Sequence, residues 1–190
     1  YTTGTHSLNV GLGHGQALYW DGLIDDVRIY DYARTPAQIA WDYNRGAPVA
    51  HWKFDECQGG TAYDLTSNNN DGTITVGGTG TNTTLGTCEG GSGMWGNGAT
   101  GKYNASLDFD GTDDWVDVGA GPTAVNTVSF WVKPTTTTEY PLDLNGTAYV
   151  WINAGTVTAQ GFTSPTIYVN GQVSSTVAAG SWQLITITTG

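Results

Sequence analysis

The run 166–173, Thr-Ile-Tyr-Val-Asn-Gly-Gln-Val, leaves few folds open to this chain. Asn170-Gly171 supplies the two positive φ angles of a type I′ turn, and the alternation beside it predicts a β-hairpin. Similar punctuation recurs. Residues 106–109 and 115–118 flank an Asp110-Gly111 turn, 127–132 stops ahead of Pro134, and 182–188 alternates cleanly. Many short strands with frequent turn signals predict a sandwich or jelly roll. The aromatic content fits, because 8 Trp, 10 Tyr and 4 Phe on a Gly- and Thr-rich background suit strands better than helices. At 190 residues the chain is long enough to bury a proper core.

One helix is predicted. Thr35 is suited to the N-cap, Pro36 to the first helical position, and residues 37–43 continue to a stop near Gly46. The stretches 64–72 and 77–101 are polar or Gly-rich and read as long loops, which compact domains seldom carry without a use or a staple. Cys57 and Cys88 bracket much of that region. Neither lies in a C-x-x-C pair, so zinc and thioredoxin-like readings are weak. A disulfide in oxidising surroundings is the expectation, with two free thiols as the alternative.

Six basic against 17 acidic residues give a net charge of −11. No basic stripe exists to replace phosphate counterions, which argues against nucleic acid and against an anionic membrane surface. No apolar run approaches the length of a membrane span, and no signal peptide is seen, so the sequence reads as a mature or internal piece.

Four blocks resemble a known family. Residues 22–30 (Gly-Leu-Ile-Asp-Asp-Val-Arg-Ile-Tyr) with 33–39 are similar to the closing strand and short helix of bacterial LamG-like jelly rolls. Residues 50–56 resemble the opening strand, 106–118 the second block and 128–134 the third. The resemblance implies an all-β, concanavalin A-like jelly-roll sandwich of two antiparallel sheets with one short helix. It also implies an unusual order, with the closing part, 1–46, ahead of the opening and central part, 47–190. Three arrangements follow: a circular permutant, one unit cut out of phase from a tandem array, or a subunit that exchanges residues 1–46 with a neighbour. The last two predict head-to-tail assembly of copies on a secreted or cell-surface fibre, since a jelly roll short of strands exposes edges.

Calcium is the expected cofactor. It takes six to eight oxygen ligands, and Asp64, Asn70 and Asp71 offer such groups at close spacing, with Glu56 and Asp25 adding carboxylates from strands that the resemblance implies are neighbours. The plainer alternative is an Asx-rich turn around Asp64 and a hydrogen-bonded Asp25. Trp20, Tyr149 and Trp151 are candidate glycan platforms, against the alternative that strand aromatics are core. Sequons place candidate glycosylation at Asn82, Asn104 and Asn145. The only glutamates, Glu56, Glu89 and Glu139, are scattered, and no acid pair or nucleophile context is evident, so no catalysis is expected. The functional expectation is a calcium-stabilised structural or adhesive repeat. The alternative is a carbohydrate-binding module of a secreted enzyme or adhesin.

Overall fold

The computed structural model describes residues 22–24, 27–35, 38–39, 47–123 and 125–189. The chain divides into two compact units, Tyr1–Ala47 and Pro48–Gly190. The second unit is built of antiparallel β-structure with one very short helix, the all-β class expected.

Its larger lobe is a two-layer sandwich. One layer is ordered β4-β10-β8-β9, from Thr127–Val132 (β4), Thr166–Val169 (β8), Gln172–Val173 (β9) and Gln183–Thr188 (β10). The other is ordered β5-β6-β7, from Glu139–Asp143 (β5), Tyr149–Asn153 (β6) and Thr156–Gln160 (β7). The period of two decides which side chains meet. Val150, Ile152 and Val157 from one layer pack with Val169, Ile185 and Ile187 from the other, while Tyr149 and Trp151 point the opposite way. The Asn170-Gly171 hairpin forms as predicted, with φ of 53° and 78° at its two turn residues.

A smaller lobe holds three short strands, Thr61–Ala62 (β1), Gly72–Thr75 (β2) and Trp115–Asp117 (β3), in the order β1-β2-β3. It also holds the helix Gly93–Asn97 (α1) within the stretch expected to be loop. That helix exists because Met94 and Trp95 are fully buried beside Ala62, Ile74 and Leu107. Trp95 Nε1 donates to Gly59 O at 2.9 Å, so the indole brings no unpaired donor into the core. Gly93 starts the helix at φ 77°, and a Cβ there would lie 2.7 Å from Thr84 O, so no other residue fits. Cys57 and Cys88 form the expected disulfide, with Cα atoms 5.0 Å apart, and Cys88 N donates to Cys57 O.

Two expected strands are not formed. Residues 50–56 make a single bridge, Trp52 to Asp64, because Phe54 and Cys57 take left-handed φ angles of 56° and 59° that end the extended run. Residues 106–109 are irregular, their Ser106 and Asp108 amides donating to Gly98 and Met94 rather than to a strand.

In the first unit, Gln38 and Ile39 are helical. Thr35 caps them reciprocally: Gln38 N donates to Thr35 Oγ1 at 3.3 Å and Thr35 N to Gln38 Oε1 at 2.9 Å, a capping box. Upstream, Leu23, Ile24, Val27 and Ile29 are 98%, 46%, 56% and 69% exposed.

Candidate functional site

The densest chemistry lies where residues 108–114 run into β3. Asp110, Asp113 and Asp114 present carboxylate oxygens within 4.8 Å of one another. The loop turns at Gly111, whose φ of 78° only glycine adopts freely. The opposing loop, 77–82, supplies neutral donors. Thr79 N and Thr79 Oγ1 donate to Asp113 Oδ2 at 3.1 and 2.6 Å, Gly77 N to Asp114 Oδ1 at 3.2 Å, and Asn82 N to Asp110 Oδ2 at 2.9 Å. Asn82 is fully buried, its Nδ2 giving to Asp108 O at 2.7 Å and its Oδ1 taking from Asn97 Nδ2 at 2.8 Å. Opposite the acids, a Cβ on Gly77 or Gly80 would overlap the carboxyl groups of Asp113 and Asp110, so a larger residue at either place would push those side chains aside.

Like charges this close disfavour one another, yet Asp110 stays ionised. The Asn82 amide holds its carboxyl below the ordinary value, against the effect of burial and with help from the Thr112 and Thr81 amides. Asp113 Oδ1 is buried without a hydrogen-bond partner. An orphaned oxygen, three convergent carboxylates and hard donors throughout suit a divalent cation of the calcium type, with further ligands from carbonyls or water.

The acids singled out from sequence occupy a second place. Asp64 is buried and accepts from His51 N (2.9 Å), Thr66 N (3.0 Å), Thr66 Oγ1 (2.9 Å), Asn70 N (2.9 Å) and Asn70 Nδ2 (3.0 Å). Burial alone would raise its pKa, but the amides of Thr66, His51 and Asn70 and the Thr66 hydroxyl hold it well below the carboxylate range. Asp71 accepts from Asp64 N at 2.8 Å. The fold therefore does bring Asp64, Asn70 and Asp71 together, with the Asp64 oxygens engaged by the loop's own donors. Glu56 stands apart: Oε1 takes the Tyr63 amide at 2.9 Å and Oε2 is buried without a partner. Asp25 and Trp20 lie outside the described residues.

Tyr149 and Trp151 stand on the outer face of β6, where Tyr140 stacks on Trp151 with centroids 5.6 Å apart and planes 9° from parallel. Tyr140 is 68% exposed, so this face offers a ring to solvent. Among the sequons, Asn104 and Asn145 are exposed. Asn82 is not an acceptor in the folded chain, because its amide nitrogen is enclosed and already donates to Asp108.

Sequence reasoning missed the Asp110, Asp113 and Asp114 cluster. Its local signal, Asp-Gly-Thr-Asp-Asp, reads as a turn, and the glycines of 77–80 that shape its other wall lie some thirty residues away.

Residues 1–40 match the family model described as the concanavalin A-like lectin/glucanases superfamily, of laminin-G type. No curated protein and no solved structure matches the chain.

Proposed function

We propose that this chain is a non-catalytic, extracellular structural or adhesive unit that joins head to tail with copies of itself. The observation that carries this reading is in the first unit, where Leu23, Ile24, Val27 and Ile29 leave much of their apolar surface in water. Single exposed apolar residues are ordinary, whereas four within seven positions mark a surface meant for a partner. The disulfide favours an oxidising compartment, and no helix among the described residues is long and apolar enough to cross a membrane. The test is sedimentation and electron microscopy of the full chain over a wide concentration range. Linear oligomers with a regular axial repeat are expected; a species that stays at 20.0 kDa throughout rejects the reading.

Calcium belongs to this proposal as a rigidifier. Asp110, Asp113 and Asp114 would hold it, and the ion would steady the 108–114 loop by offsetting the mutual repulsion of its three carboxylates. Calcium is expected to raise the melting temperature of the wild type and leave that of Asp113→Asn nearly unchanged. Equal responses would remove the cation from the account.

The outer face of β5 and β6 favours a second reading, carbohydrate binding. Rings presented flat on a rigid sheet suit the apolar face of a sugar. A glycan array with wild type and Tyr140→Ala decides it, since binding to the wild type that is lost in the variant is required.

A further inference from the structure

We infer that the outer edge of β4 is the acceptor site for residues 22–30 of a second copy of this chain, added as an extra strand. The inference rests on the assembly proposed above and names where it happens.

Each other sheet edge among the described residues is blunted. β9 and β1 are two residues long, and β3 is three and ends in an acid, Asp117. β5 carries Pro141 and an irregular register between Glu139 and Leu142. β7 is flanked by residues 175–177, with Val157 N donating to Ser175 O and Val177 N to Gly155 O. Short strands, prolines, bulges and covering segments are how proteins prevent edge-to-edge pairing.

β4 has none of these. It runs six residues, Thr-Val-Ser-Phe-Trp-Val, with no charge, proline or glycine, and among the described residues it pairs with β10 alone. Its register with β10 is unbroken from Thr127↔Thr188 to Val132↔Gln183. The inward side chains beside this edge are also incompletely covered: Ile185 and Ile187 on β10 are fully buried, whereas Val128, Phe130 and Val132 on β4 are only partly so. The outer face at β4 is occupied, since Lys102 Nζ sits 4.6 Å above the Trp131 ring and Tyr103 packs edge-on to it. Among the described residues, the row of backbone groups and the flank of the core are left open.

Residues 22–30 have the matching chemistry. Leu23, Asp25, Val27 and Ile29 share a parity, so on an extended strand they fall on one face, where the three apolar side chains would extend the layer of Val128, Phe130 and Val132 and Asp25 would need a donor or a cation. Within the first unit Leu23, Val27 and Ile29 are exposed, and these three belong to no strand. Every copy thus carries one donor segment and one acceptor edge. Such heterologous pairing leaves a donor and an acceptor free at the two ends of each assembly, the geometry of an open chain rather than a closed dimer.

The experiment uses the full chain and the double variant Val27→Lys/Ile29→Lys, with hydrogen exchange followed before and after assembly. Two apolar anchors lost from a buried strand are expected to weaken association at least about a hundredfold. The variant keeps its β4 edge, so adding it to wild type should shorten the assemblies by occupying ends. Those amides of Thr127–Val132 that do not donate to β10 should become protected as wild type assembles. Near-native circular dichroism and an intact disulfide would show that the variant's second unit is folded. If wild type assembles and the variant does so equally, or if protection appears away from β4, the assignment of this edge is overturned while the assembly proposal stands. If wild type does not assemble at any concentration, both fall. A monomer in which the β4 amides that do not donate to β10 are already protected places residues 22–30 of the same chain on the edge, and overturns the exchange between copies.

Discussion

Asp64 is a buried acid kept charged by neutral donors. Its folded-state pKa lies below that of the unfolded chain, so its contribution to stability is complete above the ordinary carboxylate range and is lost as pH falls through the folded value. Asp64→Asn keeps the size but withdraws the charge and replaces one accepting oxygen with a donor that faces the Asn70 or His51 side of the loop. Denaturant unfolding at neutral pH should show a loss of about 2–3 kcal/mol. Repeated below about pH 4, where the unfolded acid is already protonated, the gap between wild type and variant should narrow. A constant gap at every pH would assign the effect to packing instead of charge.

At the scale of elements, the staple between residues 57 and 88 holds the two loops between which Trp95 is seated. Replacing both cysteines by serine should cost about 3–4 kcal/mol, the loop-closure value for 31 residues, measured by thermal or denaturant unfolding. The small lobe should loosen first, so the Trp95 environment is the sensitive optical probe. Elements legible in the sequence were those set by neighbours in the chain: β4 by its stop ahead of Pro134, β10 by alternation, the β8–β9 hairpin by Asn170-Gly171, the cap by Thr35. α1 was not, because Gly-Met-Trp-Gly-Asn has no helical period and is fixed by where Met94 and Trp95 are buried. Residues 50–56 misled in the opposite direction, since their pattern is strand-like while Phe54 and Cys57 turn the backbone away. The acidic cluster was hidden for a similar reason: its second wall is contributed by Gly77, Thr79 and Gly80, which only the fold brings opposite Asp113.

The molecule as a whole carries a net charge of −11, and copies joined head to tail as proposed would have to bring that charge together. Association should therefore strengthen as salt is raised from about 0.01 M to about 0.15 M, where the screening length shrinks from roughly 30 Å to roughly 8 Å. Light scattering across that range measures it; weakening with salt would mean that attraction between charges drives the contact. The burial of Asn82 has a separate consequence, in the order of events during synthesis. A host that attaches oligosaccharide to nascent chains would place a bulky sugar on a nitrogen that must later enter the small lobe, and folding would stall there. A host that modifies finished proteins would find only Asn104 and Asn145 within reach. The mass of the mature product thus reports when decoration happened relative to folding, with two glycans marking a chain that closed before it was dressed.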